Sequence, residues 1–496
     1  MTRSSARMEN GSMTRYRDVF LLIAFFTAIR IVVAPTFGLG VDEAHYILYA
    51  VNLDLSYVDH PPLVGWVHAP FYLLFGSSEL FVRLPAILLF ALTSFLAYLF
   101  TMEISGSKRT SLVAVLALNS SFLFNAMALM LLPESLLLVL IFPLISVIRN
   151  MEEKGDLKSF VFLGLILGLC GLAKYTSIIL VPSILVYFVF RKRWDLIFSA
   201  YTAVSVAVAL LFISPVLYWN LQNDYLSFRY QWSHVMGPSH LKVLSFLSSV
   251  GAQAGAFSPF LFGIALYGFY KGFRSQDERI WLSILFGGSV LAFSLYVSLY
   301  DLSLPHWASL FYLLFIPIGV YELSIDGSAS RRKVLQVSVG ISLAITLFLY
   351  AELAAKWFVF PDYNSPFRDI YGFDSIAKEA DALLKEDPVA RKALAVTDWT
   401  LASRLIYYSL PYGNKVFVVD DRTDQFDYWE KEVPLGYDLL FVEANPHSED
   451  KNYGQRFQCD EMDLARTLEI TLNGAKVNRI EFYRCKNYQG EKRGNH

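Results

Sequence analysis

Two short clusters near the start of the chain hold its most chemically capable side chains. Gly40-Val41-Asp42-Glu43-Ala44-His45-Tyr46 follows the first strongly apolar segment, and Tyr57-Val58-Asp59-His60-Pro61-Pro62-Leu63 comes soon after. Neighbouring carboxylates on a helix cannot face the same way, so Asp42 and Glu43 are suited to different tasks. A carboxylate partly stripped of water near a membrane can accept a proton from a sugar hydroxyl. The plainer alternative is an acidic helix end, capped by Asp42 and solvated at the headgroups. An aspartate beside His60 can orient its imidazole, and Pro61 and Pro62 fix the backbone that carries the pair. Asp42, His45, Asp59 and His60 are all metal-ligand types, but their spacing matches no metal motif. A divalent ion is therefore kept only as an alternative, and no cofactor is assigned.

Single charged residues then interrupt apolar sequence. Glu134 follows Pro133 at a turn, where it serves either chemistry or the positive end of the next helix. Lys174, in Gly171-Leu172-Ala173-Lys174-Tyr175-Thr176, suits a phosphate as a point charge at a low-dielectric rim. Arg83, in Glu79-Leu80-Phe81-Val82-Arg83-Leu84-Pro85, is similarly placed, and either cation could instead reach up to lipid headgroups. His306-Trp307 opens another apolar run, where an interfacial aromatic pair is the ordinary reading. No glycine-rich phosphate loop follows a strand, which argues against a nucleotide-sugar donor, and no Ser/His/Asp or Cys/His nucleophile stands out.

The elements that must position these residues are membrane spans. The 496 residues are 55% hydrophobic and only 17% charged, with mean hydropathy +0.42; soluble domains carry about 25% charge. A net charge of −2 suggests no nucleic-acid partner. Spans of roughly 20 residues are expected near 19–37, 79–103, 111–131, 134–149, 159–173, 176–190, 196–215, 246–270, 280–299, 307–323 and 334–354. The first has no cleavage site and reads as a span rather than a signal. With about eleven spans, the basic stretches all fall on the N-terminal side, which is then cytoplasmic. These are Arg3 to Arg17, Lys108-Arg109, Arg149 to Lys158, Arg191 to Arg193, Lys271 to Arg279 and Arg331 to Lys333. The opposite face receives the first loop, 38–78, the turns at Glu134 and Lys174, His306, and a loop rich in aromatics and histidine (Trp219, Tyr225, Phe228, Tyr230, Trp232, His234, His240). Ala44 to Leu53 reads as a short helix lying in the interface, anchored by Tyr46 and Tyr49. Past about residue 356 the charge rises. Apolar runs at 393–397, 415–419 and 438–442 predict buried strands, and 375–385 and 400–409 predict helices, giving an α/β tail. Cys459 and Cys485 either pair, if the tail is outside the cytoplasm, or stand as free thiols.

Asp42-Glu43-Ala44-His45-Tyr46 with Asp59-His60-Pro61-Pro62-Leu63, Glu79 to Pro85, Leu132-Pro133-Glu134, Ala173-Lys174-Tyr175-Thr176 and Leu304-Pro305-His306-Trp307 together resemble the bacterial protein-mannosyltransferase-like glycosyltransferases. These belong to the C-type superfamily (GT-C) and include the aminoarabinose transferases of lipid A. The tail motifs Tyr371-Gly372-Phe373 and Asp424 to Trp429 are similar to the extracytoplasmic domain of some members. The resemblance implies a polytopic α-helical membrane protein of GT-C fold: a transferase domain over 1–355 with an extracytoplasmic first loop, and a soluble extracytoplasmic α/β domain over 356–496. It implies transfer of a sugar from a polyprenyl-phosphate donor to lipid A or the lipopolysaccharide core, at the outer face of the bacterial inner membrane. Asp42, Glu43 and Glu134 are the expected catalytic carboxylates, with Glu134 standing where many members have aspartate. Asp59, His60, Arg83, Lys174 and His306 are the expected substrate-binding residues, and Lys174 matches a lysine near the donor phosphate. The rivals are a protein O-glycosyltransferase with the same donor and a transporter or flippase of lipid-linked sugars, which would place its charges nearer the midplane.

Overall fold

A computed structural model describes residues 2–235, 240–325, 327–420, 424–430, 433–444 and 456–491, with backbone alone for 2–15 and 233–235. Among the residues singled out above, the side chains of Arg3, Arg7, Arg15 and His234 lie outside the described part. The chain divides into two compact units. The first takes Met1–Val32, Asp54–Val64 and Arg83–Tyr350; the second takes Val33–Leu53, Gly65–Val82 and Ala351–His496.

The described residues of the first unit form helices, as a lipid solvent requires of a chain that must satisfy its own backbone. Among the described residues, seven helical segments are long and apolar enough to cross a membrane. They are Tyr16–Thr36, formed mainly by α1 (Thr2–Val33), α4 (Glu79–Ser105), α7 (Pro133–Lys154), α11 (Ala200–Gln222), α15 (Glu278–Ser298), Pro305–Ile325, formed mainly by α16 (Ser309–Ile325), and α17 (Ala329–Ala355). An eighth is a pair, α13 (Val243–Phe257) and α14 (Pro259–Arg274), bent by 106°. The bend falls at Ser258, whose φ is +75°. The expected count of eleven is corrected on this criterion. The segment 111–131 is broken into α5 (Lys108–Leu118) and α6 (Phe122–Met127), and 159–173 is the shorter α8 (Leu157–Ala173). The segment 176–190 is a 3₁₀ turn, Tyr175–Ile179, running into α9 (Leu180–Phe190). Two further short helices, α10 (Trp194–Ile197) and α12 (Leu226–Val235), flank α11. Helices approach closely where a side chain is missing: a Cβ on Gly164 would collide with the Ser205 carbonyl, and one on Gly319 with that of Ile264.

The second unit is built around a mixed sheet in the order β2-β1-β3-β6-β5. β1 (Lys392–Val396) pairs parallel with β2 (Val416–Val418) and with β3 (Asp438–Ala444). β6 (Ala475–Lys486) runs antiparallel to β3 and to β5 (Glu461–Leu472). The three expected strands and the two expected helices, now α18 (Phe373–Glu386) and α19 (Trp399–Ser409), are present to within about two residues at their ends. The β5–β6 hairpin was not expected. Its turn is Asn473-Gly474, both with positive φ, the conformation that favours this dipeptide. Short β4 (Phe457–Gln458) and β7 (Gly490–Glu491) pair with each other, and Cys459 is disulfide-bonded to Cys485 on β6.

The first-loop helix α2 (Val41–Val51) corrects another expectation. Every residue from Glu43 to Ala50 is buried, and Leu39, Ala44, Ile47 and Leu48 share one core with Ile376, Leu401, Leu405 and Leu440. Tyr49 is 0% exposed, so Tyr46 and Tyr49 are core residues of the second unit and not interfacial anchors. The apolar stripe of α2 finds a protein partner, and burial there needs no lipid. The same core takes Ala69 of α3 (Leu63–Phe75).

Candidate functional site

In the first unit, α7 begins at Pro133, whose missing N–H is no loss in the first turn. Glu134 follows and is buried. Lys174 ends α8 in extended conformation (φ −157°, ψ 136°), its N–H bonded to the Cys170 carbonyl. This one-residue departure from helix turns its side chain to Glu134: Nζ pairs with Oε1 of Glu134. His306, in the 3₁₀ turn Pro305–Ala308 that leads into α16, brings Nε2 to 3.5 Å from the same oxygen. Trp307 lays its ring 5.8 Å from the lysine ammonium. Three residues expected to act are thus gathered on one carboxylate oxygen.

Asp59 and His60 stand 3.1 Å apart (Oδ2 to Nδ1), and His60 lies within electrostatic reach of Glu134. Their strap is tied down on three sides. Trp219 Nε1 donates to Asp54 Oδ2 at 3.0 Å, Ser227 Oγ to the Tyr57 carbonyl at 2.7 Å, and Gln231 Nε2 to the Asp59 carbonyl at 2.7 Å. Ser56 and Tyr175 hydroxyls meet at 3.1 Å. The residues Asp224 and Tyr225, both with positive φ, reverse the chain between α11 and α12 so that Ser227 and Gln231 reach the strap. Arg83 is fully buried near the start of α4, which removes the reading of a side chain reaching to headgroups.

A small cavity of about 30 Å³ is lined by Glu134, Lys174, Thr176, Ser177 and Trp307, among others. Thr176 and Ser177 also line a far larger one of about 740 Å³, whose walls include Leu167, Ile178, Val206, Leu210 and Ile213. The arrangement is a large, mainly apolar chamber with a cation and a carboxylate next to one part of its wall.

In the second unit, Asp42 is half-buried on the first turn of α2, while Glu43 is 1% exposed and accepts the Gly40 N–H at 3.2 Å. Glu43 is thereby engaged in starting its own helix. The chain entering α2 is fastened to Tyr408, whose hydroxyl accepts the Leu39 N–H at 2.9 Å and donates to Glu79 at 3.1 Å. His45 is enclosed by the rings of Tyr49, Trp399, Phe426 and Trp429, and its Nε2 lies 3.2 Å from the Tyr49 hydroxyl. Among the described residues no group of three or more His, Cys, Asp or Glu side chains is arranged to hold a metal ion.

Sequence reasoning missed one polar centre of the first unit. Arg30, inside the first span, is 1% exposed. Its Nη2 bonds the side-chain oxygens of Asn119 and Asn125, both at 2.8 Å, and its Nε bonds the Tyr350 hydroxyl at 3.1 Å. An arginine in Ala28-Ile29-Arg30-Ile31-Val32 was the available signal, since a charge at that depth is a functional candidate by default.

Several known proteins are similar to this chain. The family model of the dolichyl-phosphate-mannose-protein mannosyltransferases matches residues 59–219. The lipid A galacturonosyltransferase RgtD of Rhizobium johnstonii is 26% identical over 447 residues, covering 85% of this chain and 89% of its own. An uncharacterised Aquifex aeolicus protein is 39% identical over only 71 residues, 14% of each chain. The crystal structure of ArnT from Cupriavidus metallidurans bound to undecaprenyl phosphate superposes with a TM-score of 0.63 at 15% identity, over 94% of this chain and 98% of that one. This chain has the GT-C fold. The GT-C fold accounts for the multi-pass helical part and the sheet-bearing tail alike, since the match to ArnT runs through both.

Proposed function

We propose that this GT-C enzyme transfers a sugar from a polyprenyl-phosphate donor to an envelope glycolipid, lipid A or the lipopolysaccharide core. The observation that carries the reading is the part-buried Lys174–Glu134 pair beside an apolar chamber of about 740 Å³. A polyprenyl phosphate has the same two-part character, a long apolar chain ending in one anionic head. In this reading the chain occupies the chamber and the phosphate replaces Glu134 as the partner of Lys174. The acceptor oxygen attacks the anomeric carbon, the bond from that carbon to the phosphate oxygen breaks, and the electron pair leaves with the polyprenyl phosphate. Lys174 stabilises the charge that develops there. The acceptor's proton passes to Asp42, the more open of the two adjacent carboxylates. If the acceptor is itself a phosphate oxygen, Asp42 orients it instead. Until the donor binds, Glu134 holds Lys174 in register, with His306 and the Asp59–His60 pair set around that carboxylate, and Glu43 serves the helix that presents Asp42.

The names of the relatives support the substrates: RgtD acts on lipid A, and ArnT binds undecaprenyl phosphate. The Cys459–Cys485 bond supports an oxidising location for the tail, and the basic connections support a cytoplasmic N-terminus; both favour transfer at the outer face. The test uses purified protein in liposomes with labelled polyprenyl-phosphate sugar and lipid A. Asp42→Asn should slow transfer by about 10²-fold or more while donor binding persists. Full activity in Asp42→Asn removes the base role, label on protein alone favours the O-glycosyltransferase, and donor movement across the bilayer without any transfer favours the flippase.

A further inference from the structure

We infer that Arg30 is a positioning residue of the transfer site: by clasping the break between α5 and α6 it fixes the segment that delivers Glu134 to Lys174. The inference rests on the role proposed above for that pair. Among the described residues no carboxylate lies within ion-pair distance of Arg30, so its charge is held by neutral oxygens alone, with the Phe90 ring 4.9 Å away. Those oxygens are joined to one another. The Tyr350 hydroxyl that accepts from Arg30 donates to Asn125 Oδ1 at 2.8 Å, closing a ring of three side chains. Asn125 Nδ2 then donates to the backbone carbonyls of Asn119 and Ser121, at 2.8 and 2.7 Å, on either side of the interruption; the Ser121 carbonyl also accepts the Asn125 N–H at 3.1 Å. Asn119 Nδ2 reaches Ser94 Oγ on α4 at 3.1 Å, and Thr346 Oγ1 of α17 donates to the Ser120 carbonyl at 3.0 Å. A broken helix at this depth needs its freed backbone groups satisfied by neighbours, and the Arg30 ring organises the groups that do it.

The break leads directly to the site. Residues 128–132 alone separate α6 from Pro133, and they have no slack. Leu129 N–H and Met130 N–H both bond the Ala126 carbonyl, and Leu129, Leu131 and Leu132 are buried. A shift of α6 therefore moves the first turn of α7, and with it the carboxylate that meets Lys174 and His306. The planar fork of arginine is what holds two asparagines and a tyrosine at once, whereas an ammonium is a single point.

The experiment is a double-mutant cycle on transfer rate in liposomes, with thermal unfolding midpoints measured in parallel. Arg30→Met should lower kcat by about tenfold or more, and Arg30→Lys should not rescue it. In a Glu134→Asp background, which already displaces the carboxylate, Arg30→Met should add little, because both changes act on the same atom. A wild-type rate in Arg30→Met, rescue by Arg30→Lys, or losses that multiply in the double variant would each overturn the inference. If Arg30→Met does not fold, Tyr350→Phe removes one hydroxyl of the ring and leaves both asparagine bonds. It should give a smaller loss that Glu134→Asp again absorbs, and multiplied losses overturn the inference here too. If the wild-type protein moves no sugar onto lipid A, the functional reading fails; if it does and the losses multiply, only the role of Arg30 fails.

Discussion

Glu134 and Asp424 are both buried carboxylates that start a helix, and their surroundings are opposites. Glu134, 5% exposed, faces the Lys174 ammonium and the His306 ring. Asp424, 8% exposed, caps α20 (Gln425–Trp429) by accepting the Phe426 N–H at 2.8 Å, but has Asp420 and Asp427 as charged neighbours. Burial, with the two aspartates adding to it and His45 acting the other way, pushes the Asp424 carboxyl up to about 6. Loss of water penalises a carboxylate in either place; the company it keeps decides whether the charge is held or the proton is kept. In the proposed reaction the pairing at Glu134 is also exchangeable, the donor phosphate taking the carboxylate's place beside the lysine.

The largest effect is expected from removing the cation. Lys174→Met should reduce transfer by about 10²- to 10³-fold, the scale for losing one charge-stabilising donor. It should also destabilise the protein by on the order of 3 kcal/mol by removing the ammonium from buried Glu134 and leaving it only the His306 ring. Adding Glu134→Gln should restore the unfolding midpoint and leave transfer lost; recovery of both together would break the comparison. A smaller effect is expected at Asp424. Between the ordinary carboxylate value and about 6 the folded chain keeps a proton that the unfolded chain has released. Stability therefore falls as pH rises through that window and levels off above it. Asp424→Asn keeps the helix-capping oxygen and should flatten the fall, read as unfolding midpoints at about pH 4.5 and about pH 7.5. The smallest effect is expected at Arg466, which meets Glu379 and Glu386 at the surface of the tail with its own side chain 43% exposed. Arg466→Ala should leave the midpoint unchanged at moderate salt; a clear drop would show that exposure does not separate the pairs as supposed.

The sequence exposed the parts of this arrangement governed by scarcity of charge. Glu134, Lys174 and His306 stand out because apolar residues surround them, and alternation of loop faces was enough to predict that they share one. It could not show the breaks. A hydropathy average runs smoothly across Asn119-Ser120-Ser121 and across Ser258, although the chain stops being a straight helix at both. Arg30 was hidden by the same averaging, one charge diluted by its neighbours. The β5 strand escaped for a different reason: it is a sheet edge, mostly exposed, so the period-two pattern of a half-buried strand is faint. There the Asn473-Gly474 turn was the stronger signal. The burial of α2 was illegible because an amphipathic helix looks the same whether lipid or protein covers its apolar face.

The Arg30 ring also has a consequence for how the protein is made. Two of its three members, Arg30 on α1 and Tyr350 on α17, are 320 residues apart. An arginine within a span opposes insertion by up to about 3 kcal/mol, and the helix that carries it leaves the ribosome well before α17. The apolar residues around Arg30 must carry that helix into the bilayer before its ring can close. Its charge then waits for α17 to be synthesised, so a late helix completes the setting of an early one.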